Sequence, residues 1–301
     1  MKVVVFGGSG FVGSHVADVL TEKGHEVTIF DMRPSEYLRK GQKMLVGNIL
    51  DEKAVDRAIE GTDTVYNFAG VADITKASDK PLETIKNNIL GNTVILEACR
   101  LHNVKRFVFA SSVYVYSGVG SFYRSSKQAC ELITENYNEK YGLPFTILRY
   151  GSLYGPRADE SNWVYQILKQ AVTEGKITRY GDGEELREYI HVQDAARCSV
   201  EILSPEFENQ YVIITGNQQM KVKDLMVMIK EMLNNKIELE FLPTESTIHY
   251  EITPYSFNPK IAKKLVSNYY IDLGQGILDL LSSIYKEKFP HKKQILSQIG
   301  R

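Results

Sequence analysis

The first 31 residues restrict the fold of this chain more than any other stretch. Lys2–Phe6 (K-V-V-V-F) is a short apolar run rich in β-branched residues, the pattern of a strand covered on both faces in a parallel sheet. It runs straight into G-G-S-G-F-V-G, with glycines at 7, 10 and 13. A helical period follows through Phe11, Val12, Val16, Val19 and Leu20, and Gly24 supplies a C-terminal stop. A second strand, Glu26–Phe30, ends in Asp31. Glycines alone cluster in ordinary turns, but strand, glycine turn, helix, strand and acid in this order describe a dinucleotide site. Gly7 permits the tight turn, Gly10 lets backbone approach a pyrophosphate, and Gly13 lets helix and strand pack closely. The helix start at Phe11 and Val12 offers N–H groups and partial positive charge to phosphates. Asp31 can accept hydrogen bonds from an adenosine ribose and would repel a 2′-phosphate, which favours NAD over NADP. Arg33 is a counter-signal, read here as a solvated loop charge.

The alternation continues. Strands are predicted at Met44–Val46, Thr64–Phe68, Phe107–Ala110 and Phe145–Leu148, with helices at Lys53–Ile59, Leu82–Arg100 and Ser126–Lys140. Such a rhythm predicts an α/β fold with a Rossmann-type doubly wound parallel sheet. Ligands of such folds sit beyond the carboxyl ends of the strands. Those ends carry Gly7, Asp31, Asn48, Ala69–Gly70, Ser111–Ser112 and Tyr150–Gly151. After Pro156 the rhythm loosens, which predicts a smaller, partly discontinuous C-terminal substrate lobe. The expected division is a dinucleotide-binding domain at 1–155, with a return segment near 188–215, and a mainly substrate-binding lobe at 156–301.

Composition removes other classes. A net charge of −1 on 301 residues gives no field for nucleic acid or anionic lipid. Cys99, Cys130 and Cys198 are scattered and odd in number, so neither disulfides nor a metal site is expected, and a reducing, cytoplasmic setting is. No apolar run reaches the roughly 20 residues of a membrane span. The N-terminus reads as a core strand, which a signal peptide would not supply. The last eleven residues, H-K-K-Q-I-L-S-Q-I-G-R, are expected to be an exposed helix extension or tail.

The chemistry centres on Y-R-S-S-K, where Tyr123 and Lys127 are four residues apart and Ser112 lies eleven residues upstream. Residues i and i+4 share a helix face, which places the ammonium beside the phenol. A phenol with a free pKa near 10 needs such a cation to act as a base near neutrality. The pair gains its meaning from the glycine turn and from Ser112. Tyr165 and Lys169 have the same spacing and are read as a helix face without chemistry.

These residues resemble the extended short-chain dehydrogenase/reductases, specifically the nucleotide-sugar epimerases and dehydratases. The resemblance runs through G-G-S-G-F-V-G-S-H, G-N-I-L-D at 47–51, Y-N-F-A-G at 66–70 and N-N-I-L-G-N-T at 87–93. It continues with F-V-F-A-S-S-V-Y-V-Y at 107–116, Y-R-S-S-K at 123–127 and L-R-Y-G-S-L-Y-G-P-R at 148–157. Later blocks are G-D-G-E-E-L-R-E-Y-I-H-V-Q-D at 181–194 and Y-S-F-N-P-K-I-A-K-K-L at 255–265. The resemblance implies that Tyr123, as tyrosinate, takes the proton of a sugar hydroxyl, usually at C4, while hydride passes to NAD. Lys127 would hold the nicotinamide ribose and depress the phenol pKa, and Ser112 would bond the reacting oxygen. Asn48 would meet the adenine amino group and Ile49 would pack on the ring. Phe68, Ala69, Gly70 and Ser111 would complete the cofactor wall. Tyr150 would touch the nicotinamide end or serve only as a packing aromatic. Asn88 would brace the active-site strand. Arg187 would grip the substrate diphosphate; Ser152 stands in the same wall, and Arg157 has weaker support. Trp163 and Tyr165 stand either near the ligand or, the preferred reading, in a helix core.

Departures narrow the reaction. Val113 and Tyr114 occupy the places where the 4,6-dehydratases carry an Asp-Glu pair, so dehydration is disfavoured. Ser152 replaces a common asparagine, and the 117–122 segment is short, which predicts a pocket that is wider or closed by other residues. A nucleoside-diphosphate sugar 4-epimerase and a 4-dehydrogenase remain level. The alternatives are an NADP-dependent reductase of a non-nucleotide ketone and a non-catalytic dinucleotide-binding sensor. The family commonly dimerises through the helices Asn88–Arg100 and Ser126–Tyr141, so a homodimer is expected, with Ile95, Leu96, Cys99, Leu132, Ile133 and Tyr137 shared between core and interface.

Overall fold

Seven parallel strands form the centre of the computed structural model, which describes residues 1–217 and 219–243, all within one compact unit. The chain enters through β1 (Lys2–Phe6), α1 (Phe11–Glu22), β2 (Glu26–Asp31), β3 (Lys43–Val46), α2 (Glu52–Ile59) and β4 (Thr64–Asn67). Short helices α3 (Ile74–Asp79) and α4 (Pro81–Thr84) lead through a π-helical turn at Ile85–Leu90 into α5 (Gly91–Leu101). Then come β5 (Arg106–Ser112), α6 (Ser121–Tyr141) and β6 (Phe145–Tyr150). The second half contains β7 (Ser152–Tyr154), α7 (Trp163–Glu174), β8 (Lys176–Tyr180), β9 (Leu186–His191) and α8 (Val192–Glu201). It ends with β10 (Gln210–Ile214), β11 (Gln219–Lys221), α9 (Val222–Met232) and β12 (Glu238–Leu242).

The large sheet has the order β10-β6-β5-β4-β1-β2-β3. Its order reverses beside β1, which is where doubly wound sheets open a ligand crevice. Both faces are covered. Val4 and Phe6 of β1 join Phe30, Ile59, Leu96 and Phe107 in one core, while Val3 and Val5 join Leu20, Ile29, Val108 and Leu148 in the other. Each such side chain contributes ~1.5–3 kcal/mol by leaving water, which explains why the strands read as continuous apolar runs.

Two boundaries differ from the sequence pattern for identifiable reasons. Gly120, at φ 112°, turns the chain so that α6 starts at Ser121, five residues before the predicted start. The predicted Leu82–Arg100 helix contains the π turn, and Asn88 sits inside it. Asn88 Oδ1 accepts from Val71 N at 2.7 Å, while Nδ2 donates to Val71 O at 3.1 Å and Ser126 Oγ at 2.9 Å. Gly70 must be glycine for this: at φ 143°, a Cβ there would lie 2.6 Å from Asn88 Oδ1.

Beyond β6 the chain builds a three-stranded sheet, β11-β9-β7, and a parallel pair, β12-β8. Val164, Ile167, Ile177, Leu225, Met226 and Ile229 form the core of this second region. β10 then returns to the edge of the large sheet beside β6. The block at 255–265 and the basic C-terminal residues lie outside the described residues.

Candidate active site

The glycine turn is shaped by backbone contacts. Gly7 lies at φ 73°, and a Cβ there would come 2.6 Å from Ala69 N. A Cβ on Gly13 would come 2.3 Å from Gly7 O, so the start of α1 can rest on the turn only without a side chain. Gly10 differs: its Cβ would meet only Gly7 O, at 3.3 Å, so this side of the turn is open. Asp31, at the end of β2, accepts from Ser9 N at 3.1 Å and from Arg33 N at 3.3 Å. It clasps the turn and, with up to four acceptor sites on the carboxylate, keeps capacity for a ribose hydroxyl. Arg33 is exposed. An open glycine cradle at a helix N-terminus, with a carboxylate at the next strand end, fits NAD.

Other cofactor candidates fall into two groups. Phe68, Ala69 and Gly70 lie just past β4, where the Phe68 ring stacks on Tyr66 with centroids 6.1 Å apart. Asn48 is exposed, and its Oδ1 accepts from Leu50 N at 2.9 Å, which leaves one lone pair for a ligand. Three further candidates have side chains held by protein contacts. Ile49 is 7 % exposed, and a Cβ on Gly91 would lie 2.4 Å from its Cδ1, so its side chain packs against the start of α5. The Ser111 hydroxyl donates to Glu131, which also takes Arg149 Nε at 3.0 Å and Nη2 at 2.6 Å. The Arg149 guanidinium lies between the rings of Tyr116 and Tyr211, at 4.6 and 4.4 Å from their centroids. The Tyr150 phenol pairs with Ser199 Oγ at 2.6 Å, and burial pushes its pKa up, so its hydroxyl is anchored on α8.

Tyr123 lies in the first turn of α6, 9 % exposed, edge-on to Tyr114 with centroids 6.1 Å apart. One turn later Lys127 Nζ sits 5.9 Å from the Tyr123 ring centroid and 4.9 Å from that of Phe109. It donates to Ala110 O at 2.7 Å, which pins the ammonium to β5. Burial lowers the Lys127 pKa from its ordinary 10.5, opposed by the charges of Cys130 and Glu131. Ser112 ends β5 and accepts from Tyr114 N at 3.3 Å.

Ser112, Tyr123, Ser152 and Arg187 line one cavity of about 260 Å³. Arg187, on β9, is 8 % exposed and donates through Nη1 to Leu186 O at 2.9 Å. Val113 and Tyr114 also line this wall, and among the described residues no carboxylate lines the cavity beside Ser112. Arg157 faces elsewhere: it pairs with Asp18 at 2.7 Å and stacks on Tyr37 at 4.5 Å. Trp163 and Arg179 line the cavity although the sequence pattern did not select Arg179. The only signal was strand alternation in I-T-R-Y, which puts residue 179 on the same face as buried Ile177. Tyr165 is on the exposed face of α7, and Lys169 pairs with Glu160.

A glycine cradle at the edge of a doubly wound sheet, opening beside a buried Ser-Tyr-Lys cluster, defines a nicotinamide-dinucleotide protein of the short-chain dehydrogenase/reductase type. Residues 3–213 match the NAD dependent epimerase/dehydratase family, and the protein belongs to it; its cofactor is NAD. A UDP-N-acetyl-α-D-glucosaminuronate decarboxylase of Bacillus cytotoxicus is 26 % identical over 282 residues, covering 85 % of this chain and 86 % of the relative. The UDP-glucose 4-epimerase of Thermotoga maritima, solved with UDP-glucose, superposes with a TM-score of 0.78 at 27 % identity, covering 85 % of this chain and 90 % of that one. The Thermus thermophilus UDP-glucose 4-epimerase, solved with NAD, gives 0.77 at 27 % identity with the same coverage.

Proposed function

We propose that this protein oxidises C4 of a nucleoside-diphosphate sugar and acts as a 4-epimerase; a 4-dehydrogenase is the second reading of the same first step. The observation that carries the proposal is one cavity lined by Ser112 and Tyr123 together with the guanidinium-bearing Arg179 and Arg187. The first two suit a reacting hydroxyl, and the arginines suit a diphosphate. NAD, when bound, supplies the acceptor and later the donor of the C4 hydride. Tyr123, as phenolate, removes the hydroxyl proton and returns it after the ketosugar has turned over. Ser112 donates to the reacting oxygen, and Lys127, held on Ala110 O, supplies the positive charge that favours the phenolate. Elimination across C5 and C6 needs further acid and base groups, which the dehydratases take from an Asp-Glu pair; Val113 and Tyr114 bring no carboxylate to those places.

Named relatives support the epimerase reading, because several are described as UDP-glucose 4-epimerases. The test is to incubate purified enzyme with UDP-glucose, UDP-N-acetylglucosamine and UDP-glucuronate in deuterium oxide and follow the sugar by NMR. Inversion at C4 without deuterium incorporation is expected. A 4-keto product with stoichiometric NADH means a dehydrogenase, deuterium at C3 or C5 contradicts simple C4 epimerisation, and loss of the uronate carboxyl means a decarboxylase.

A further inference from the structure

We propose that Arg179 is a second guanidinium for the substrate diphosphate and that Glu185 is its resident counter-ion, displaced when the diphosphate enters. The inference deepens the nucleotide-sugar reading and rests on it. Arg179 reaches the cavity from β8, while Arg187 reaches it from β9. Its guanidinium lies over the Trp163 ring, 5.4 Å from the centroid, so a cation–π contact holds the planar fork in place. One link joins it to Glu185, Nη2 to Oε1 at 2.5 Å, with the two side chains 17 % and 18 % exposed. The pair is incompletely made. Arg179 Nε and Glu185 Oε2 are both buried and have no hydrogen-bond partner among the described residues.

A guanidinium paired for permanence would use its fork, as Arg149 does on Glu131 through Nε and Nη2. Arg179 instead spends one N–H on a carboxylate and leaves Nε buried and unbonded, an arrangement that costs free energy. A diphosphate offers more acceptor oxygens and more charge than Glu185, so it can take both N–H groups where the carboxylate takes one. The position suits this task. Ser112 comes from the end of β5 and Tyr123 from the start of α6, whereas Trp163, Arg179 and Arg187 come from the start of α7, β8 and β9. A sugar hydroxyl placed at Tyr123 therefore sends its diphosphate toward Arg179.

The test measures binding of UDP and UMP by calorimetry to wild type, Arg179→Met, Arg179→Lys, Glu185→Gln and the Met/Gln double variant. NADH titration and melting temperature serve as checks on folding. Arg179→Met is expected to weaken UDP binding about tenfold, with a smaller effect on UMP and unchanged NADH affinity. The lysine variant recovers part of the loss because charge returns without the fork. Glu185→Gln tightens UDP binding several-fold, and the double variant behaves as Arg179→Met, because Glu185 acts only through Arg179. In sugar turnover, Arg179→Met raises KM and leaves kcat within about twofold. Equal UDP affinity in wild type and a folded, NADH-binding Arg179→Met protein would overturn the inference and leave the proposed reaction standing. A wild type that binds none of UDP, GDP, dTDP or CDP would remove the nucleotide-sugar reading and this inference with it.

Discussion

Tyr123 is a poor base in isolation, and its neighbours decide what it can do. Tyr123→Phe keeps the ring and removes the hydroxyl, so turnover should fall by about 10²–10⁴ while NADH binding persists; unchanged turnover in a stopped assay would refute its role. Lys127 makes a pH prediction. Burial disfavours its ammonium, so the proton leaves at a lower pH than the ordinary 10.5. Activity should rise with pH as the phenol ionises, then fall as Lys127 is deprotonated, giving an alkaline limb below pH 10.5. In Lys127→Met that limb should vanish, and the acid limb should move to higher pH, because the phenolate has lost its cation. A pH profile of kcat checks both. Arg157 shows how a local pattern misleads: it lies in the block that resembles a substrate-binding segment, yet its partner Asp18 is 139 residues away and draws it out of the cavity.

Two turns set the precision of the site. In the glycine turn, Gly13→Ala puts a methyl 2.3 Å from Gly7 O, forcing β1 and α1 apart. A loss of ~1–3 kcal/mol and of NAD binding is expected. Gly10→Ala meets its nearest atom at 3.3 Å, so the melting temperature should be kept while NADH affinity falls. Thermal unfolding with a parallel NADH titration separates the two outcomes. In the π turn, Asn88→Ala strands Val71 N and Val71 O, at ~1–3 kcal/mol for each group left unmade, while Ser126 Oγ keeps its bond to Tyr123 O. Denaturant titration should show a matching fall in stability. Strand and helix existence was legible because apolar period differs between them. The π turn was not, since Leu82–Arg100 keeps helical spacing and only the distant Val71 and Ser126 give Asn88 a reason to sit there.

The assembled surface corrects the expected dimer face. Ile95, Leu96 and Cys99 are fully buried in the core, so they cannot also meet a partner. The exposed apolar residues on or near α5 and α6 include Leu82, Ile85, Leu90, Leu101, Phe122 and Leu132, with Leu132 at 59 %. A homodimer through these helices is expected to use them, and Leu132→Glu should turn it into a monomer in light scattering. A monomeric wild type at micromolar concentration would remove the dimer instead. The chain also crosses back: α8 and β10 come from the second half but pack on α1 and β6 of the large sheet. Such a return could be anticipated near 188–215, but its partner strand is chosen by long-range packing.

Linear spacing decided what backbone geometry alone can enforce. Gly7, Gly10 and Gly13 at intervals of three around one turn, an acid at the next strand end, and a phenol and ammonium four residues apart are local relations, satisfied within a few turns of chain. Folding decided which way each side chain faces and what it meets. A strand has two faces, and only the packed neighbours determine which one opens on the cavity. Tyr150 therefore went to Ser199 and Ile49 to the core, while Arg179 and Trp163 came to the site. Buried polar groups take whatever partner lies within hydrogen-bonding distance, and that partner is commonly far away in sequence.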